Sequence, residues 1–350
     1  MAKVRVLIVD DSAVVRSVLS ELLSMDPGIE VVGEAEDPYV ARDKIKALRP
    51  DVLTLDIEMP RMDGLTFLKN LMRLNPMPVV MLSSLTNEGA DETLQALELG
   101  AVDFISKPTV SASDAALEHF QRDLTGKVKA AAATAAKLKF RRPAAAVTTA
   151  KVQSVKPLVF SQHALVTIGA STGGTEALRE LICNLPGGMP PIVVTQHIPE
   201  TFSTRFAKRL NDLAALTVKE PTENEVLKPG HVYVAPGSHH LQIKKRGDQL
   251  YCHLSDADRV NRHKPSVEVM FNSLLNIYPE QVVAVMLTGM GEDGAKAMKA
   301  LADAGARTLI QDEATSMVWG MPGAAYRYGA SKELVALDKI ADRLVRLFSR

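Results

Sequence analysis

Two groups of residues in this 350-residue chain have types and spacings that could do chemistry. The first is Gly169-Ala170-Ser171-Thr172-Gly173-Gly174, which contains Gly-x-Ser-x-Gly. That spacing lets a serine sit on a tight strand-to-helix turn with its Oγ exposed as a nucleophile. A phosphate-binding glycine loop is the competing reading. It is disfavoured because Gly-x-Gly-x-x-Gly is not matched and no Lys-Ser or Lys-Thr pair follows. A nucleophilic serine needs a base, and the apolar run 192–195 leads directly into Gln196-His197. Of the eight histidines, His197 is the one placed at the same sheet edge as Ser171. An orienting acid should also come from a strand end. The run 282–287 opens into Thr288-Gly289-Met290-Gly291-Glu292-Asp293-Gly294, which offers both Glu292 and Asp293; spacing does not choose between them. The chain order Ser, His, acid differs from the Ser, acid, His order of α/β-hydrolases, so it describes another convergent triad.

The second group is acidic. Asp10 and Asp11 follow the run 4–9, and Asp56 closes the run 52–55. If those strands lie side by side, the carboxylates converge into a hard-oxygen pocket suited to Mg²⁺. Ser83 follows the run 78–82, and Lys107-Pro108 follows 102–105, so a hydroxyl and a cation are supplied to the same rim.

The elements that must position these residues read as α/β in both halves. Over the first 125 residues, apolar runs at 4–9, 29–32, 52–55, 78–82 and 102–105 alternate with helical patterns such as 14–23 and 65–71. That alternation gives βα units around a parallel sheet, with the ligand crevice at the carboxyl ends of the strands. A second α/β pattern starts at residue 164, with strand-like runs at 164–168, 192–195, 232–235, 282–287 and 308–310 and a helical run at 177–182. Around 241–254, strand, Arg246-Gly247-Asp248, strand reads as an antiparallel hairpin added to the mainly parallel sheet. The expected fold class is therefore α/β with two doubly wound domains, the second Rossmann-like with an antiparallel hairpin. Between them lies an alanine-rich tract carrying Lys127, Lys129, Lys137, Lys139, Arg141, Arg142, Lys151 and Lys156 and no acid. It reads as a solvated linker that continues the last helix of the first domain for a turn or two, in preference to a nucleic-acid-binding arm. The expected domains are 1–125, a linker 126–159, and 160–350.

Composition sets outer bounds. The length exceeds one ordinary hydrophobic core. Acidic and basic residues number 41 each, a balance that argues against nucleic acid as a partner. Cys183 and Cys252 are too few for a disulfide framework and lack zinc-site spacing. The chain opens in a strand-like run without a signal-peptide pattern and has no apolar stretch of about eighteen residues, so a cytoplasmic protein without membrane insertion is expected. His239, His240, His253 and His263 invite a metal reading, but adjacent strand residues point to opposite faces, and polar loop and rim positions are preferred. The fourteen methionines are assigned to core filling.

Asp10-Asp11, Leu55-Asp56-Ile57-Glu58-Met59-Pro60, Asp63-Gly64, Ser83-Ser84 and Lys107-Pro108 occur in order at matching strand ends, and together resemble the receiver domain of two-component systems, a flavodoxin-like fold. The resemblance implies that Asp56 accepts a phosphoryl group, that Asp10 and Asp11 hold Mg²⁺ with it, and that Ser83 and Lys107 sense and contact the phosphoryl group. Phe104 stands where receivers often carry an aromatic that reorients on activation, and is given no site role. In the second half, Gly169 to Gly174, Gln196-His197-Ile198-Pro199, Ala235-Pro236-Gly237, His263-Lys264-Pro265-Ser266-Val267 and Leu287 to Gly294 resemble the catalytic domain of the CheB protein-glutamate methylesterases of chemotaxis. That resemblance makes Ser171 the nucleophile, His197 the base and Asp293 the acid, with the Met290 N–H in the oxyanion hole and Thr172 supporting it. Trp319 lies in another family-like stretch and is left outside the site. The esterase chemistry itself is expected to need no cofactor. The implied partners are chemoreceptor cytoplasmic domains as substrate and a chemotaxis histidine kinase as phosphodonor. The chain is expected to act as a monomer recruited to membrane receptor arrays. Phosphorylation is expected to relieve a cover that the receiver places over the hydrolase cleft. Family members often also deamidate receptor glutamines, and the residues do not tell which chains do so.

Overall fold

The computed structural model describes residues 2–83, 86–107, 114–136 and 158–349. Ser84, Pro108 and residues 137–157 of the expected linker lie outside the described residues. The chain divides into two compact units, 1–147 and 148–350.

In the first unit, short runs of Val, Leu and Ile form β1 (Val4–Val9), β2 (Ile29–Ala35), β3 (Val52–Asp56), β4 (Val79–Ser83) and β5 (Asp103–Ser106). They pair in parallel in the order β2-β1-β3-β4-β5. Strands buried on both faces must be apolar throughout, as β3 and β4 are apart from Thr54 and their terminal Asp56 and Ser83. The crossovers are α1 (Ala13–Ser24), α2 (Pro38–Leu48), α3 (Gly64–Leu74) and α4 (Asn87–Glu98). Each starts on a side-chain cap, Ser12, Asp37, Asp63 and Thr86 respectively, whose oxygen accepts a first-turn N–H. The last helix, α5 (Asp114–Ala132), runs past residue 125. Lys127 on it lies 3.7 Å from Asp103 and 3.4 Å from Asp123 and donates to the Phe104 carbonyl, and Lys129 pairs with Asp26. Two cations counted in the linker thus pair with acids of the first unit, and an apolar helix stripe of Leu124, Val128 and Ala131 continues beside them.

The second unit is built on seven parallel strands in the order β14-β13-β12-β6-β7-β9-β8. These are β6 (Leu165–Ala170), β7 (Ile192–Gln196), β8 (Thr217–Lys219), β9 (His231–Val234), β12 (Val282–Met286), β13 (Arg307–Gln311) and β14 (Leu334–Val335). Helices α6 (Gly174–Cys183), α7 (Glu200–Leu213), α8 (Val267–Ser273), α9 (Ala295–Asp303), α10 (Met321–Arg327) and α11 (Leu337–Phe348) accompany the sheet. The hairpin β10 (His240–Arg246) and β11 (Gln249–Ser255) forms an antiparallel sheet of its own instead of extending the main one. Leu241, Ile243, Leu250 and Cys252 are buried on one face of it, in one cluster with Met270, Phe271 and Leu274 of the α8 region, so it packs by face and not by edge. The edge strands β8 and β14, of three and two residues, are too short to show as apolar runs in the sequence. Among the described residues, no helix is long and apolar enough to cross a membrane.

Candidate active site

Three neighbouring strands of the second sheet, β12, β6 and β7, end at one edge. Ser171 follows β6, His197 follows β7, and Asp293 lies in the loop after β12. His197 Nδ1 is 3.1 Å from Ser171 Oγ and Nε2 is 2.8 Å from Asp293 Oδ2. Donation to a carboxylate fixes the proton on Nε2, leaving the Nδ1 lone pair to accept from the serine hydroxyl. The ring therefore uses its nitrogens in the reverse sense to the trypsin-like proteases.

Local sequence explains how Ser171 is held. Its N–H donates to the Thr288 carbonyl and its carbonyl accepts from Gly174 N, closing a tight turn in which Gly173 has φ +74°. A Cβ on Gly174 would stand 2.2 Å from Gln196 Oε1, and one on Gly289 would stand 2.8 Å from Ser171 Cβ. These glycines let three loops meet at the serine. Helices α6 and α9 begin on the left-handed glycines Gly173 and Gly294 with no side-chain cap.

Asp293 is almost fully buried and heavily hydrogen-bonded. Oδ2 accepts from Val267 N (2.7 Å) as well as from His197, and Oδ1 accepts from Asn261 Nδ2 and Ser266 Oγ, each at 2.8 Å. Burial alone would raise its pKa; donation from His197, Asn261 and Ser266 outweighs burial and holds the carboxyl well below the usual range. Glu292, its neighbour in sequence, is exposed and accepts from the Tyr328 hydroxyl at 3.4 Å. The alternation imposed by Gly291 and Gly294, both at φ +82°, turns Asp293 inwards and Glu292 out.

The loop between β12 and α9 is stitched to its surroundings. Thr288 N donates to the buried Gln311, Thr288 Oγ1 donates to the Thr172 carbonyl, and Gly289 N donates to the Val318 carbonyl. Among the described residues, the Met290 N–H has no acceptor. It belongs to the same short loop as Gly289, which abuts Ser171. Thr172 is buried, with its carbonyl committed to Thr288. Trp319 is half-buried and forms a parallel bridge with Gly289, so it belongs to the wall of this site.

In the first unit Asp10, Asp11 and Asp56 place ligand oxygens within 4.8 Å of one another. Lys107 Nζ lies 2.8 Å from Asp56 and 2.9 Å from Asp10. Burial pushes the Asp56 carboxyl up to about 6; the Lys107 hydrogen bond opposes the rise and the nearby Asp10 adds to it. Burial would lower Lys107, but its hydrogen bonds to the two acids hold it above the usual lysine range. A cleft of about 150 Å³ opens over Asp11, Asp56, Glu58, Glu92 and Lys107. Ser83 sits buried at the adjacent strand end, where its Oγ donates to the Gly89 carbonyl and accepts from Thr93 Oγ1 at 2.7 Å. Its partner Gly89 lines the same cleft. Convergent carboxylates with no softer donor fit a hard divalent cation such as Mg²⁺.

Comparison with known proteins places each unit in a family. Residues 166–344 match the family model described as CheB methylesterase, and residues 6–117 match the response regulator receiver domain. The chain is 54% identical over 349 residues to a protein-glutamate methylesterase/protein-glutamine glutaminase of Xanthomonas campestris, covering 98% of this chain and 97% of that one. The chain belongs to the CheB methylesterase family. A protein of the same name from Hydrogenovibrio crunogenus is 46% identical, with full coverage of both chains. The crystal structure of the Thermotoga maritima CheB methylesterase catalytic domain superposes with TM-score 0.52 at 38% identity, covering 53% of this chain and 98% of that one.

Within this CheB-family site, several residues make contacts that sequence patterns did not assign. Asn261 and Ser266 grip Asp293, and His263 stacks on His197 with ring centroids 3.7 Å apart and planes 9° from parallel. The buried His240 accepts from Ser266 N at Nδ1 and donates from Nε2 to the Asp258 carbonyl, so it is a structural histidine. His239 contacts Ser238 and His253 pairs with Glu223. The four histidines thus have separate partners, and among the described residues Asp10, Asp11 and Asp56 form the only cluster able to hold a metal. Phe104 is buried with Lys127 over its ring, Cys252 is buried in the core, and Cys183 is half-buried.

Proposed function

We propose that the chain hydrolyses glutamate methyl esters on chemoreceptor cytoplasmic domains, giving glutamate and methanol, under control of phosphorylation at Asp56. The observation that carries the reading is the continuous Ser171–His197–Asp293 hydrogen-bonded chain, at 3.1 and 2.8 Å, at one sheet edge. Ser171 Oγ attacks the ester carbonyl as its proton passes to His197 Nδ1. The Asp293 carboxylate, held ionised, stabilises the imidazolium through Nε2–H. The Met290 N–H donates to the developing oxyanion, an interaction of the kind whose removal costs about 3 to 4 kcal/mol, and the Thr172–Thr288 link supports that loop. His197 then returns the proton to the departing methoxide, and water releases the glutamate by the same steps in reverse. Amide hydrolysis of glutamine uses the same groups, with ammonia leaving, and the relatives' names include protein-glutamine glutaminase.

In the receiver, Asp56 is the phosphoacceptor, Lys107 neutralises the incoming phosphoryl oxygens, and Ser83 is the hydroxyl that would exchange its Gly89 partner for the phosphoryl group. Asp10, Asp11 and Asp56 would hold Mg²⁺, which when bound supplies charge neutralisation for phosphoryl transfer. A chemotaxis histidine kinase is the natural phosphodonor. The proposed division is a receiver over 1–125, a connector over 126–159 whose first residues belong to α5, and a catalytic domain over 160–350. The chain is proposed to act as a monomer in the cytoplasm at receptor arrays.

The test is methanol release from methylated receptor fragments by the wild type and Ser171→Ala, with and without a small phosphodonor and Mg²⁺. Release that rises with phosphodonor and vanishes in Ser171→Ala is expected. Equal release by residues 155–350, the unphosphorylated chain and the phosphorylated chain would remove the regulatory half of the proposal.

A further inference from the structure

Residues 260–263 form a turn to which the esterase reading gives no task. Val260 N donates to the His263 carbonyl at 3.1 Å and His263 N donates back at 2.9 Å, which closes a two-residue loop. Its central residues, Asn261 and Arg262, have φ +50° and +72°. Such a turn requires left-handed backbone at both positions and ordinarily recruits Asn-Gly. Arginine at the second position is strained, and its exposed side chain makes no compensating contact among the described residues. The turn is anchored on both sides. The buried His240 ties the Asp258 carbonyl to Ser266 N, and Lys264 pairs with Asp256 at 2.6 Å.

Its two inward side chains both meet the triad. Asn261 Nδ2 donates to Asp293 Oδ1, and the His263 ring lies flat on the His197 ring. With planes 9° apart, the ring nitrogens of the two histidines point outwards in parallel and not at each other, so His263 is not in line to exchange a proton with His197. What the contact can do is restrict rotation of the His197 imidazole about its Cβ–Cγ bond, a torsion that is otherwise broad. A rotation of that ring carries Nδ1 away from Ser171 Oγ and Nε2 away from Asp293 together.

Resting on the triad reading above, we propose that the 260–263 turn is a positioning element of the esterase. His263 sets the plane of the His197 ring and Asn261 sets the rotation of the Asp293 carboxylate, each acting through another residue and neither touching the reacting atoms. Because the contact that His263 makes with His197 is that of a flat face, another aromatic ring should preserve it.

The experiment compares the full-length chain with His263→Ala, His263→Phe, His263→Gln, Asn261→Ala and Ser171→Ala. It measures kcat and KM for methanol release from methylated receptor fragments, and thermal midpoints as a check of folding. His263→Ala and His263→Gln are expected to lower kcat by about tenfold or more with KM within about twofold, since small misplacements of catalytic groups cost up to about a hundredfold. His263→Phe should recover to within about threefold of wild type, and Asn261→Ala should lose about fivefold in kcat. Wild-type kcat in His263→Ala, a loss confined to KM, or rescue by Gln and not by Phe would each overturn the proposal. If His263→Ala does not fold, the Phe and Gln pair decides alone. Ser171→Ala separates the two layers: residual activity there sinks the triad, whereas a dead Ser171→Ala beside a fully active His263→Ala sinks only the positioning element.

Discussion

Asp293→Asn tests how the triad is wired. In trypsin-like proteases the equivalent change costs about 10⁴-fold because the amide turns the histidine into the wrong tautomer. The surroundings of Asp293 predict a smaller loss here. Asn261 and Ser266, which donate to Oδ1, can both invert: the Asn261 amide can flip and the Ser266 hydroxyl can accept. Val267 N, which donates to Oδ2 at 2.7 Å, is a backbone N–H and cannot. Glu268 N also faces Oδ1, but at 3.4 Å it is the weaker constraint, so the new amide should place its NH₂ at the Oδ1 site and its carbonyl at the Oδ2 site, where His197 still donates from Nε2. The tautomer survives and only the charge is lost. A unit charge about 4 Å from the imidazolium at an effective dielectric near 20 is worth roughly 4 kcal/mol. With part of that kept by the neutral hydrogen bond, a cost of about 3 to 4 kcal/mol corresponds to about 10²- to 10³-fold in kcat. The assay is methanol release at saturating receptor fragment, paired with ¹⁵N NMR of the His197 ring. A loss of 10⁴-fold or more with the proton on Nδ1 would refute the role given to Val267, and a loss below tenfold would refute the role given to Asp293.

Other predictions follow from the same geometry. Gly174→Ala forces a Cβ to 2.2 Å from Gln196 Oε1 and should destabilise the catalytic unit by about 1 to 3 kcal/mol, read from denaturant midpoints. Arg262→Gly relieves left-handed backbone worth about 1 to 2 kcal/mol, against about 0.5 to 1 kcal/mol of added chain entropy, so a stability gain of about 0.5 kcal/mol is expected in thermal unfolding. Lys107→Met leaves Asp10 and Asp56 without their cation and should abolish phosphodonor stimulation while leaving basal esterase activity intact. Without Mg²⁺, Asp56 titrates near 6 when folded and near 4 when unfolded, so the folded state holds the extra proton. The contribution of Asp56 to receiver stability should therefore be fully present below about pH 4 and be lost as pH rises through about 6. Asp56→Asn should flatten that part of the pH profile of unfolding.

Much of this arrangement is legible in the sequence, because α/β folds tie chemistry to strand ends. Ser171, His197, Asp10, Asp56 and Lys107 each directly follow or close an apolar run, and every one lands at the expected edge. The choice of Asp293 over Glu292 is not legible from spacing, since it depends on two left-handed glycines that set which side chain turns inwards. Asn261 and His240 carry no local signature, and the family-like stretch that begins at His263 assigns that residue no role. Their partners lie 18 to 66 residues away in the chain, and only the packing of the hairpin and α8 brings them together. The continuation of α5 for a turn or two past residue 125 was legible, but the packing roles of Lys127 and Lys129 were not: alanine and lysine suit a solvated connector and a helix equally well, and the acids that claim the two lysines lie on other elements or turns of the fold.

The order β12-β6-β7 has a consequence for what can vary in this enzyme. Adjacent strands are about 4.8 Å apart, a spacing fixed by backbone hydrogen bonding and indifferent to side chains. The sheet acts as a ruler: the roots of the acid, nucleophile and base loops are graduated by a dimension that substitution does not easily stretch. The loop carrying Trp319 is mounted on the ruler and is not a mark upon it. Selectivity for the residues flanking a target glutamate can thus be retuned on that wall while the reacting distances stay calibrated.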